Sequence, residues 1–175
     1  MRLSNFRVPG MIAGLALLTS IGMMPILPGL ADSQSQQIGP DGLPIPPGGT
    51  RVGNQVIYNN GNVIMEFAPA RGTRALFGPR CPDNWFCIFA DAGWEGRMWQ
   101  FREANVTQNL INFGADNQMT SWDNRLPRYD VLWYYGANGG GTRRCADSNS
   151  KNSNVGPTDN DKASSIRIVS NDSQC

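Results

Sequence analysis

The chain has 175 residues, 15 basic against 14 acidic, and no histidine, so the side chain that most often serves as general base, triad member or zinc ligand is missing. A formal charge of +1 gives no strong pull toward nucleic acid or an anionic membrane. The 20 glycines and 12 prolines, with Asn, Asp and Ser between short apolar runs, favour turns and short strands over long helices.

Residues 1–31 have the pattern of a cleavable export signal. Arg2 and Arg7 form a positive start, Met11 to Leu18 is an uncharged apolar core, and Gly29-Leu30-Ala31 places small residues ahead of Asp32. Gly22, Pro25, Pro28 and Gly29 interrupt the apolar run, which argues against a retained membrane span. After removal of the signal no membrane association is expected, and 13 of the 15 basic residues would remain beside the 14 acids. Residues 32–50 are Gln/Ser-rich, then Pro/Gly-rich, with little apolar surface, and are expected to be a disordered, extended linker. A β-hairpin extension is assigned to 51–78: Gln55-Val-Ile-Tyr58 and Val63-Ile-Met-Glu-Phe67 flank Asn59-Asn-Gly-Asn62. A lone hairpin is marginal in water, so it should dock on the edge of the following domain or make a contact of its own.

From Cys81 onward the sequence repeats. Phe86-Cys-Ile-Phe89 opens one unit and Val131-Leu-Trp-Tyr134 opens another, with Tyr134 45 residues after Phe89. Asp116-Asn-Gln-Met-Thr-Ser121 closes the first, and Asn160-Asp-Lys-Ala-Ser-Ser165 lies 44 residues later. Each unit, about 81–125 and 126–170, holds several short apolar runs, as a four-stranded Greek key would. Helical periodicity is absent outside the signal, apart from a turn near Val106 to Ile111. The fold class expected is therefore all-β, with the two repeats forming a domain over 79–170 and a tail at 171–175.

Four cysteines, Cys81, Cys87, Cys145 and Cys175, follow the signal, and an even number in an exported chain points to disulfides. Three connectivities exist. The closeness of Cys81 and Cys87 around Pro-Asp-Asn favours a local bridge, leaving Cys145–Cys175. A four-cysteine metal site would want Cys-x-x-Cys knuckles, and there are none.

Phe89-Ala-Asp-Ala-Gly-Trp94-Glu-Gly96 spaces two aromatics and a glycine as a folded hairpin does, the glycine allowing positive φ and the first aromatic covering the turn. The pattern resembles the βγ-crystallin Greek-key signature. Cys81-Pro-Asp-Asn-Trp-Phe-Cys87-Ile-Phe89 resembles the opening of secreted bacterial proteins of the Streptomyces metalloproteinase inhibitor family. The likeness covers about residues 81–169 and implies a βγ-crystallin-like sandwich of two paired Greek keys. In the second unit Gly139 stands where Trp94 stood, so Asn138-Gly-Gly-Gly141 is expected to be a looser loop, its lost aromatic replaced by Trp133 or Tyr135. No Lys-Ser/Thr follows those glycines, which excludes a phosphate-cradling loop.

The two hexapeptides resemble the calcium motif of that family. The resemblance implies ligands from a third-position carbonyl, a fifth-position hydroxyl and a carbonyl of the other motif's hairpin. Carried over by position, these are Gln118 and Thr120 with Ala137, and Lys162 and Ser164 with Ala92, with Asp116 and Asp161 as nearby charges. Calcium takes six to eight oxygen ligands, and few of these are carboxylates, so micromolar or weaker binding is expected. Such clusters also cap turns without any metal.

Asp91, Glu95 and Glu103 are read as solvated turn residues rather than a glycosidase pair. Trp85, Trp94, Trp99, Trp122 and Trp133 are read mainly as core. The expectation is a secreted, non-catalytic protein that inhibits an extracellular peptidase, a metallopeptidase by family resemblance, with Asn138 to Arg144 as a guess at the contacting loop. The alternatives are a calcium-stabilised structural or cell-envelope protein, and a carbohydrate-binding module.

Overall fold

In a computed structural model the residues described are 36–69, 80–171 and Cys175, and all lie in one unit, Ser35–Cys175. The expected signal, 1–31, lies outside the described residues, as do 32–35, 70–79 and 172–174. The chain is all-β, with strands β1 (Thr50–Val52), β2 (Gln55–Tyr58), β3 (Val63–Glu66), β4 (Phe86–Asp91), β5 (Glu95–Phe101) and β6 (Thr107–Asn109), followed by β7 (Ser121–Asn124), β8 (Tyr129–Tyr134), β9 (Arg143–Ala146), β10 (Lys151–Asn152) and β11 (Ser165–Ser170). Among the described residues no helix is long and apolar enough to cross a membrane. The turn expected near Val106 to Ile111 is strand β6 and then a 3-10 turn, Leu110–Phe113.

Two sheets form the sandwich. One runs β1-β2-β3-β5-β4-β7-β10 and the other β6-β11-β8-β9. Each repeat therefore keeps three strands in one sheet and gives its third strand to the other: β6 of the first repeat pairs with β11, and β10 of the second pairs with β7. Exchange of third strands ties the two Greek keys into one body, because neither sheet is complete without the other repeat.

Period-two alternation explains which side chains meet. Val56, Met65, Trp99, Ile88 and Trp122 are successive cross-strand partners over five strands of the first sheet, and all are buried. Trp133 and Val131 of the second sheet face Ile166 and Ile168 and belong to the same core. β4 is buried on both faces: Phe86 and Ile88 point into the sandwich, while Cys87 and Phe89 pack with Cys81 and Met98 in a second small cluster flanked by Trp85 and Trp94.

The hairpin extension docks on the domain edge. β3 pairs with β5, and Val56, Tyr58, Val63, Met65 and Phe67 join the common core at 3% exposure or less. The sequence reading missed β1, which adds a third strand outside β2.

The expected disordered linker needs correction in its described part. Residues 36–49 form a strap held against the sandwich. Ile45 is buried, Gly39 and Ile45 donate backbone hydrogen bonds to Leu43 and Gln37, and Tyr58 Oη donates to the Pro46 carbonyl at 3.2 Å. The composition misled because its glycines serve close approach rather than freedom. A Cβ at Gly39 would overlap the Phe67 ring, and one at Gly49 would overlap Val56 and Tyr58. The strap is locked by Asp41, whose carboxylate takes two hydrogen bonds from Arg97, Nε at 2.9 Å and Nη2 at 2.7 Å, with both side chains under a tenth exposed.

Candidate functional site

The two folded hairpins and the two hexapeptides form one arrangement with approximate twofold symmetry. In the first repeat Ser121 Oγ donates to the Asp91 carbonyl at 2.7 Å and accepts from the Trp94 N–H at 3.2 Å. In the second, Ser165 Oγ donates to the Gly136 carbonyl at 2.6 Å and accepts from the Gly139 N–H at 3.0 Å. Each bond has its counterpart 44 or 45 residues away. The sixth hexapeptide position is thus a staple that closes its own hairpin. Ser121→Ala leaves two backbone groups without that partner, and a loss of about 1–3 kcal/mol is expected. Chemical denaturation checks this, and Ser165→Ala should behave alike.

The expected loosening of the second hairpin is not found. Asn138, Gly139 and Gly141 lie at φ of 55°, 76° and 74°, matching Gly93, Trp94 and Gly96 at 74°, 62° and 76°. Gly136 N–H and Gly140 N–H close it on Gly140 and Ala137 carbonyls. Glycine suits a left-handed conformation that Trp94 adopts only under strain, so the second copy is the less strained one. The ring nearest Gly139 is Tyr134, the counterpart of Phe89, and not Trp133 or Tyr135. The guessed contact loop, Asn138 to Arg144, is likewise held. Arg144 bonds the Asp159 carboxylate at 3.0 Å, and Tyr135 Oη donates a short hydrogen bond to the same carboxylate.

The hexapeptides pair with each other. Asn117 N–H donates to the Ala163 carbonyl at 2.9 Å and Asp161 N–H to the Met119 carbonyl at 3.2 Å, a reciprocal pair. Asn117 and Asp161 both have positive φ, and Ser164 Oγ lies 3.5 Å from Asn117 Oδ1. Thr120 N–H bonds Phe89 and Ser164 N–H bonds Tyr134, so each fifth residue sits beside the hairpin of its own repeat. Among the described residues no hydrogen bond joins Thr120 to Ala137 or Ser164 to Ala92. The carbonyls of Gln118, Lys162 and Ala92 accept no hydrogen bond there, whereas the Ala137 carbonyl accepts the Gly140 N–H. Asp116 and Asp161 accept only from the adjacent Asn117 and Asn160 amides. The donors are oxygen-only and mostly neutral, a set that suits a hard cation held weakly.

Both expected disulfides are present, Cys81–Cys87 with Cα atoms 5.8 Å apart and Cys145–Cys175 at 5.7 Å. Trp99, Trp122 and Trp133 are buried. The half-buried faces of Trp85 and Trp94 carry Arg102 and Lys151, so no open tryptophan platform for sugar stacking exists among the described residues. Asp91 and Glu95 are exposed hairpin residues, and Glu103 accepts a bond from Gln108 at 3.0 Å.

Third-strand exchange and stapled hairpins define a two-motif sandwich of the βγ-crystallin kind. Residues 78–146 match the model of peptidase inhibitor family I36, and the resemblance to the Streptomyces metalloproteinase inhibitor family is borne out over that stretch. The matching family is one of peptidase inhibitors, a non-catalytic class, in keeping with the expectation of a non-catalytic protein. Among solved structures, the chain is similar to a βγ-crystallin domain from Clostridium beijerinckii at 22% identity, covering 48% of this chain and 95% of that one with a TM-score of 0.42. It is also similar to a βγ-crystallin domain from Flavobacterium johnsoniae at 24% identity, 50% and 96% coverage and a TM-score of 0.40. The N-terminal domain of protein S is similar at 18% identity, 49% and 96% coverage and a TM-score of 0.42. The strand order itself, rather than these likenesses, defines the sandwich. No curated protein matches the chain.

Proposed function

We propose that this chain is an exported inhibitor of an extracellular peptidase, with a metallopeptidase as its target. The observation that carries the reading is the match of residues 78–146 to a family of peptidase inhibitors. The fold is suited to that work. A sandwich with exchanged strands, stapled hairpins and two disulfides changes shape little on docking, so little ordering free energy opposes binding. Export is supported by the signal-like pattern of residues 1–31 and by the two bridges, which persist in oxidising surroundings. The test is residual activity of secreted zinc, serine and cysteine peptidases against rising concentrations of the oxidised chain. Loss of activity confined to zinc peptidases is expected. Inhibition confined to another class would remove the metallopeptidase target, and silence throughout would remove the inhibitor reading.

Calcium is the cation we assign to the paired hexapeptides. The carbonyls of Gln118, Lys162, Ala92 and Ala137 and the hydroxyls of Thr120 and Ser164 are the donors, with Asp116 and Asp161 supplying charge. The free third-position carbonyls support the assignment. A cation there would brace both hairpins from outside, adding to the serine staples. At a hundredfold excess over Kd one filled site stabilises by about 2.7 kcal/mol, which for a chain of this size raises Tm by roughly 5–10 °C. Differential scanning calorimetry with millimolar calcium should show the rise, and the Thr120→Ala, Ser164→Ala double variant should lose it. An unchanged Tm in the wild-type chain would reject the assignment.

A further inference from the structure

We propose that the tip of the strap, residues 39–44, is the loop that enters the peptidase's active-site cleft, with the Leu43 side chain in an apolar pocket there and the Gly42 carbonyl facing the catalytic zinc. This rests on the inhibitor reading above and names its contact, which lies ahead of the stretch 78–146 matched to the inhibitor family. Leu43 is 50% exposed, and Ile38, close by across the Ile38–Pro44 bridge, is 51% exposed. Exposure alone says little, since single apolar side chains in water are common. What sets Leu43 apart is its backbone. Of the five large apolar residues exposed in the described part, it is the one whose main chain is held on both sides by buried side chains, those of Asp41 and Arg97. The other tips offer no such group: Asp91-Ala-Gly93 is small and acidic, and Asn138 to Arg144 has no large apolar residue.

The local sequence builds this tip. Gly39-Pro-Asp-Gly42 is a β-turn closed by the Gly42 N–H on the Gly39 carbonyl at 3.0 Å, with proline and aspartate at its centre and glycine, at φ of 78°, at its end. The Leu43 N–H donates to Asp41 Oδ1 at 3.2 Å. The Leu43 carbonyl accepts from the Gly39 N–H at 2.8 Å and from Arg97 Nη2 at 3.4 Å, and Pro44 behind it disfavours a helical turn at Leu43. Between these held groups the Gly42 carbonyl accepts no hydrogen bond among the described residues. A Cβ built on Gly42 meets nothing within 4 Å, so the turn is open on that side.

Such a loop suits a zinc peptidase. The metal polarises the carbonyl oxygen of the bond to be cut, and a free carbonyl followed by leucine gives the oxygen to zinc and the side chain to the pocket on the amine side. The same bonds explain why the loop inhibits rather than serves as substrate. Hydrolysis would put a hydroxyl from water on the Gly42 carbonyl carbon and the remaining proton on the Leu43 nitrogen. That nitrogen stays on Asp41, and its own carbonyl stays on Gly39 and Arg97, so the cut ends remain in register and rejoin with loss of the same water. A main chain already fixed also loses little freedom on docking.

The test measures Ki for a secreted zinc endopeptidase that cuts on the amino side of leucine, using the oxidised parent chain, Leu43→Ala, Leu43→Asp and Ile111→Asp. Urea midpoints of all four accompany it, and those of the Leu43 variants should match the parent because the side chain is exposed. Leu43→Ala should raise Ki about thirtyfold or more, the loss that marks a hot-spot residue, and Leu43→Asp should raise it further. Ile111→Asp, at a residue that is also exposed, should leave Ki unchanged. Any slow nick found by mass analysis should fall between Gly42 and Leu43. Equal Ki values for the parent and both Leu43 variants would overturn the loop while leaving the inhibitor reading in place. Loss of inhibition in Ile111→Asp alone would also overturn it, as would rapid cleavage of the tip without inhibition. A parent chain that inhibits no peptidase would remove both readings.

Discussion

Replacing Arg97 by methionine is expected to cost about 3–5 kcal/mol, the penalty for leaving one partner of a buried ion pair without the other. Arg97 lies on β5 with the same parity as Trp99 and Phe101, and the hydrogen bonds of its guanidinium all go to the strap: two to Asp41, one to the Pro44 carbonyl at 3.1 Å and one to that of Leu43 at 3.4 Å. Methionine fills the volume but leaves a carboxylate and two carbonyls facing apolar surface. The effect should carry a pH signature. Burial pushes the Asp41 carboxyl up, but the Arg97 hydrogen bonds and charge, with the Leu43 N–H, outweigh it and hold the carboxyl below the ordinary aspartate range. A folded pKa lowered in this way contributes stability above the unfolded value of about 3.9, and the contribution is lost as pH falls through the folded value. The parent should therefore lead Arg97→Met by a constant margin at pH 6–8, and the margin should shrink below about pH 4. Urea unfolding of both chains at pH 7 and pH 3 measures it. A pH-independent difference would mean that the pair is not what holds the strap.

Phe67→Ala is expected to lose about 3–5 kcal/mol as well, through a cavity at the junction of three elements. Phe67 is fully buried, Gly39 of the strap abuts its ring, and the guanidinium groups of Arg51 and Arg97 sit 5.4 Å and 5.5 Å from the ring centre. Its loss removes the surface on which the strap lies and two cation–π contacts together. Urea midpoints give the magnitude. Limited proteolysis gives the location, since cleavage within 36–49 should speed up before cleavage within the repeats. Equal protection of the strap in both chains would show that the hairpin and strap are not one cooperative unit with the sandwich.

Much of this architecture could be read from the chain because its signals are local. The aromatic–glycine spacing at Phe89 to Gly96, the recurring hexapeptides and the Asn-Gly between β2 and β3 each specify a turn whose geometry few other residues allow. The local Cys81–Cys87 bridge followed from closeness in sequence. The features missed depend on contacts between distant segments. Pro/Gly-rich composition at 36–49 reads as freedom, yet Gly39 is there because the Phe67 ring leaves no room for a Cβ, and Asp41 finds its arginine 56 residues away. Gly139 reads as a lost aromatic, yet it accepts a positive φ at lower cost than Trp94 does, and Ser165 closes the hairpin in both respects like its counterpart. Which strand each repeat lends to the other sheet is a tertiary fact with no local signature. The pairing of Asn117 with Ala163 and of Asp161 with Met119, on which any shared cation site depends, belongs to the same class.

The most direct measurement holds a secreted zinc peptidase at a fixed concentration well above the dissociation constant and follows hydrolysis of a fluorogenic peptide as the oxidised chain is added. An inhibitor built on a rigid scaffold should bring the rate down along a straight line to an end point near one chain per enzyme. Undiminished hydrolysis by zinc, serine and cysteine peptidases alike, at tenfold molar excess of a chain whose two bridges are intact, would contradict the account.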